Sequence, residues 1–138
     1  MNRDDLRDLA QERLEDARVL LKEGRYAAAY YLSGYVVECA LKACIAKHTK
    51  QFDFPPDRAT INGIYVHNLA VLVKSAQLGS TLDIDSQKDR EFAKNWSLVQ
   101  TWNEESRYRI PTELEACGLF EAISDNEHGV LPWISRHW

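Results

Sequence analysis

Between Tyr26 and Val37 twelve consecutive residues carry no charge, and the run AAAYYLSGYVVECALKACIA that follows Tyr26 is apolar on nearly every face of a helix. A segment of this kind must be surrounded, either by lipid or by other helices of the same chain. Lipid is the poorer solution, because Glu38 and Lys42 interrupt the run, and Ser33, Gly34 and four tyrosines make it too polar and too short to span a bilayer. The run therefore predicts the central helix of a bundle, and the remaining chain has to supply the helices that cover it. A chain of 138 residues with 45% apolar content is long enough to do so as one domain, 1–138.

The flanking sequence supplies those helices. Leu6, Leu9, Ala10, Leu14, Ala17, Leu20 and Leu21 recur at three- and four-residue spacings, predicting an amphipathic helix over about 4–22 with Gly24 as its C-terminal stop. The apolar run makes the second helix, from about 25 to 48. Phe52-Asp53-Phe54-Pro55-Pro56 and Asn62-Gly63 read as a loop. A short third helix is expected over about 67–76, ended by Gly79-Ser80. Ser86 with Asp89 opens a fourth, carrying Phe92, Trp96, Val99 and Trp102 on one stripe. Thr112 with Glu115 forms a capping box for a fifth, running to about 124, and Gly129 and Pro132 restart the chain into VLPWISRHW. No internal repeat and no sustained strand pattern occurs. The expected class is all-α, an up-and-down four-helix bundle with an extra C-terminal helix.

Several chemistries are excluded by spacing. The positions three before His48, His67, His128 and His137 are Ile45, Ile64, Asp125 and Ile134, so the paired Glu-x-x-His of a di-iron bundle is missing. There is no Gly-rich phosphate loop and no Gly-x-Ser-x-Gly elbow. Cys39, Cys44 and Cys117 lack the spacing of a zinc site and are odd in number, so reduced thiols, no metal, no cofactor and a cytoplasmic location are expected. The charged N-terminal segment has no apolar export core.

What remains is a set of polar groups on an apolar frame. Arg107 and Arg109 flank Tyr108, combining guanidinium groups suited to bidentate phosphate binding with a ring face for stacking. The alternative is that both arginines are neutralised by Glu104, Glu105 or Glu113. Glu38 and Lys42 are spaced i and i+4 in the order that favours an ion pair, on the surface or along a groove. His67 is a helix cap or core hydrogen-bonder by default and the best general acid–base candidate.

The pattern A-x-x-L-L-x-x-G-R-Y-x-x-A-Y-Y-L-x-G-Y-x-V-E-C-A-L-K-A from Ala17 to Ala43 resembles the HEPN superfamily of helical nucleotide-binding domains. The F-P-P at Phe54, the H-x-L at His67, the S-R-Y-R at Ser106 and the closing G-V-L-P-W-I fall in the same order as in that family. The resemblance implies a four- or five-helix bundle, commonly a homodimer, often paired with a small nucleotidyltransferase in a toxin–antitoxin-type system. It also implies that Arg107, Glu38 and Lys42 line a groove or bind ligand. Many such proteins are metal-independent ribonucleases with an R-x(4–6)-H motif, but here no arginine stands at that distance before any histidine.

Three expectations follow. The first is a module binding a nucleotide, an RNA end or a partner nucleotidyltransferase through Arg107, Arg109, Tyr108 and Lys42. The second is a ribonuclease with a non-standard site, using Arg107 or Arg109 with His67; the missing motif weighs against an enzyme. The third is a non-catalytic structural subunit whose tryptophans form a dimer surface. Residues 1–50 hold nine Lys/Arg against eight Asp/Glu, and residues 51–138 hold eight against thirteen. The arginine pair thus lies in the acidic part of the chain, which favours a short ligand or a protein over a long nucleic-acid track.

Overall fold

The computed structural model describes residues 1–49, 62 and 65–138. The loop expected around Phe54-Pro55-Pro56 and Asn62-Gly63 lies, apart from Asn62, outside the described residues. Helix α1 spans Arg3–Lys22, opened by a capping box in which Asn2 and Asp5 each accept from the other's backbone N–H. Its end is a Schellman turn: Arg25 N donates to Leu20 O at 2.8 Å, Gly24 N to Leu21 O at 3.1 Å, and Gly24 takes φ +73°. The stop expected at Gly24 is therefore the one observed.

Helix α2, Tyr26–His48, is the element on which most of the others pack. From Val36 to Ile45 every residue but Lys42 is buried. Helices α3 (Leu69–Ser75), α4 (Gly79–Lys88), α5 (Arg90–Val99), α6 (Glu113–Ser124) and α7 (Val130–Ser135) follow, with a 3-10 turn at Glu104–Tyr108 between α5 and α6. Helices α1, α3, α6 and α7 and the 3-10 turn all lie against α2. The class is all-α, as the apolar run requires. The Thr112–Glu115 capping box forms as read from the spacing.

Three expectations are corrected. Helix α3 starts after His67, because Asn68 is its cap and accepts from Val71 N at 3.1 Å. It is ended by Gln77 at φ +61°, with Leu78 N donating to Val73 O, so Gly79-Ser80 opens a helix instead of closing one. That helix, α4, escaped the sequence reading because GSTLDIDSQK has weak helical preference and buries no residue. It is tied down from outside: Leu82 packs on the core and Asp85 accepts the indole N–H of Trp133 at 2.8 Å. Asp89, expected at the third position of a capping box from Ser86, is itself the cap of α5, accepting from Phe92 N at 3.0 Å.

The tryptophans are also placed differently from the dimer-surface expectation. Trp96, Trp102 and Trp133 are buried in one core, and Trp138 packs partly against it. The tightest fit is between Trp102 and α2 at Gly34: a Cβ there would lie 2.1 Å from the indole ring. Only a residue without a side chain lets the segment after α5 approach the central helix so closely. No helix among the described residues is long and apolar enough to cross a membrane.

Gly34→Ala forces that contact apart, and overpacking of this kind costs about 1–3 kcal/mol, to be read as a lowered urea midpoint. A second expectation concerns pH. His128 Nδ1 lies 2.7 Å from Asp89 Oδ2, and this hydrogen bond is the largest influence raising the pKa of His128 and lowering that of Asp89. The histidine contribution is complete below the ordinary imidazole value of about 6.5 and is lost as pH rises through the raised one; the carboxylate contribution is complete above about 3.9 and is lost as pH falls through the depressed one. The contribution of this pair to the denaturation midpoint should therefore be constant between those limits and decline beyond them. His128→Gln should abolish the part of the alkaline decline that this pair produces; an unchanged pH curve in the variant refutes the link.

Candidate functional site

Glu38 sits on the most enclosed stretch of α2 and is only 3% exposed. A carboxylate at such a depth has to be paired. Lys42, one turn on, donates from Nζ to Oε1 at 2.9 Å, and His67 Nδ1 lies 2.8 Å from the same oxygen. The imidazole is held there from both sides in sequence, by Val66 packed against the core and by Leu69 buried at the start of α3 just after the Asn68 cap. In the tautomer whose Nδ1–H donates to this oxygen, Nε2 is the acceptor of the ring. Three of the six residues singled out by sequence, Glu38, Lys42 and His67, thus form one cluster joining α2 to the segment before α3. The Glu38–Lys42 pair is largely sunk in the protein, with its carboxylate side chain 4% exposed.

The two neighbours that could offer further reactive groups do not. Tyr35 is pushed up to about 12 by burial, with Cys39 and Glu38 adding to the shift. Burial likewise pushes the Cys39 thiol up to about 11. Both stay protonated near neutrality.

The basic pair of the 3-10 turn divides. Arg109 donates from Nη1 to Tyr30 Oη at 3.0 Å, stands 5.0 Å over the Tyr30 ring and pairs through Nη2 with Glu115. It is a clamp between the turn, α2 and α6, and its acidic partner is Glu115 rather than Glu104, Glu105 or Glu113. Arg107 behaves otherwise. It is exposed, lies 5.0 Å over the ring of Tyr108, and has no carboxylate within ion-pair distance among the described residues. Its pKa is raised, chiefly by Tyr108, with Tyr31 and Glu105 also contributing. Tyr108 itself is 73% exposed.

Tyr31, Tyr35, Glu38 and Lys42 follow one another at steps of four, three and four residues, which places them on one face of α2 over roughly 16 Å at 1.5 Å per residue. The Tyr31 and Tyr35 rings are 6.5 Å apart and nearly parallel at 9°, and Tyr31 leans on Trp102 at 5.9 Å. Arg107 stands toward the Tyr31 end, and Lys42 with His67 at the other. Four cavities among the described residues are each lined by at most one of Arg107, Arg109 and Lys42. A cavity of about 500 Å³ beside Lys42 is lined by Arg3, Leu6, Ile45, Ala46 and other residues of the start of α1 and the end of α2, with neither arginine. Sequence reasoning missed Tyr31 and Tyr35. The signal was present as a tyrosine pair at i and i+4 in step with Glu38 and Lys42, but it lay inside a run that read as uniformly buried.

Among the described residues, no group of three or more His, Cys, Asp and Glu side chains could hold a metal ion. The profile of one family, described as the HEPN domain, matches residues 4–121. No curated protein and no solved structure matches the chain.

Proposed function

The chain belongs to the HEPN domain family, and on that premise we propose that it is a single-domain binding module for a nucleotide or the end of a single-stranded RNA. The observation that carries this reading is the α2 face: an arginine free of carboxylate partners among the described residues at one end, two parallel tyrosines along it, and Lys42 with His67 at the other end. Aromatic rings on which bases stack, bordered by cations that take phosphates, are the general solution for binding single strands without reading sequence. A face roughly 16 Å long matches a few nucleotides and not a long track, in keeping with the acidic surroundings of Arg107.

A second reading, that the same end of the molecule meets a protein, is favoured by a separate observation. Tyr108, Ile110 and Leu114 are 73, 92 and 82% exposed within seven positions of one another. Apolar side chains grouped in this way are what a homodimer contact or a small nucleotidyltransferase of a toxin–antitoxin-type pair would cover.

Fluorescence anisotropy with a labelled RNA of about six nucleotides at low salt tests the first reading. Arg107→Ala should weaken binding by about tenfold and flatten the salt dependence by about one counterion unit, whereas Tyr31→Ala should cost about 1–3 kcal/mol in lost stacking. Unaltered affinity in both variants refutes it. For the second reading, Leu114→Asp should convert a dimer seen by light scattering into a monomer; a wild-type protein already monomeric at high concentration excludes the homodimer.

A further inference from the structure

The start of α1 and the end of α2 leave a cavity of about 500 Å³ between them, within the range of about 300–1,000 Å³ usual for small-molecule sites. Lys42, Ile45, Ala46 and Thr49 reach it from one face of α2, and Arg3 and Leu6 from one face of α1. Leu6, Ile45 and Ala46 form its apolar wall, and Leu6 and Ala46 stay only partly covered by the rest of the chain. The only charged side chains on it are Arg3 and Lys42, one from each helix and both positive.

Neither cation is fully used. Lys42 is 20% exposed, and of its three N–H groups one goes to Glu38 at 2.9 Å, with no second acceptor among the described residues. Arg3 meets Asp4 through Nε alone, at 3.4 Å, on a carboxylate that is 68% exposed and also serves Arg7. Its two terminal nitrogens have no acidic partner among the described residues. The cavity between α5 and α6 differs in kind, since Glu91, Glu121 and Asp125 stand there with Lys94 and His128 and no single sign is selected. An apolar hollow bordered by two cations with N–H groups to spare suits an apolar body with one negative end.

We propose that the cavity between the start of α1 and the end of α2 binds a small carboxylic acid with an apolar chain or ring. Its body lies against Leu6, Ile45 and Ala46 and its carboxylate between Arg3 and Lys42. The carboxylate takes a spare N–H of Lys42 without displacing Glu38, so the buried charge keeps its partner. Arg107, Tyr31 and Tyr35 have no part in the site, and the acid binds whether or not RNA binds along the α2 face.

The test titrates octanoate into the full chain at low salt, by calorimetry and by NMR of the Ile45 and Ala46 methyl groups, with octanol and octylammonium as controls. Octanoate should saturate with a Kd of about 1 mM or tighter and shift both methyl signals. Octanol should bind about tenfold more weakly or worse, lacking the charge-assisted bonds, and octylammonium should not bind. Arg3→Met keeps an apolar stem and should weaken octanoate by about fivefold or more while leaving octanol unchanged. Ala46→Phe fills the cavity and should abolish binding of both; Arg3→Met, at a part-exposed position, keeps the test decisive if the larger side chain prevents folding. Octanoate that fails to saturate, that binds no more tightly than octanol, or that binds Arg3→Met as well as wild type overturns the proposal. Saturable binding that leaves the Ile45 and Ala46 methyl signals in place overturns it too.

Discussion

Helix α2 is enclosed along most of its surface, with Tyr31, Tyr35 and Lys42 left only partly covered, and the rest of the molecule is arranged to deal with that fact. Each remaining element that packs on it, α1, α3, α6, α7 and the 3-10 turn, covers part of the same cylinder. Gly34 sets how near the covering can come, since the Trp102 indole lies where a Cβ would be. Burying the tryptophans inward follows from the same need: a small bundle with one largely enclosed helix has room for large side chains where its neighbours bridge gaps between helices. The wide exposure of Ile110 and Leu114 stands out against that background.

A helix so deeply enclosed makes any charge on it expensive. Glu38 is tolerated because Lys42 and His67 converge on one of its oxygens. The consequence is a half-exposed imidazole tied to the core through Nδ1, at one end of a face that also carries two tyrosines. The candidate site thus lies on the rigid part of the fold, with the positions of its groups inherited from packing. Arg107 stands on the 3-10 turn, and Arg109, two residues on, holds that turn to α2 and α6 through Tyr30 and Glu115.

The two arginines illustrate where local reading stops. In sequence they are equivalent members of one basic pair, and only the path of the chain through a 3-10 turn gives one to Glu115 and leaves the other on the surface. Helix α4 makes the same point for the fold. GSTLDIDSQK carries few of the residues that mark a helix, and its anchoring through Leu82 and Asp85 depends on Trp133, 48 positions from that aspartate. By contrast, the ends of α1 and the start of α6 were legible, because a Schellman turn at Gly24 and the Thr112–Glu115 box are made by residues adjacent in sequence.

Sequence by itself determined that this chain is helical, that Tyr26–Ile45 forms its buried centre, and that the family pattern runs along most of its length. These follow from periodicity and from local hydrogen bonds, whose partners lie within a few residues. Tertiary structure alone decided that Glu38 faces His67 across 29 positions, that Tyr31 and Tyr35 stack along the face leading to them, and that Arg107 and Arg109 part company. Burial on α2 creates the need for a partner to the Glu38 charge, and no spacing rule specifies which distant residue the fold will bring to meet it.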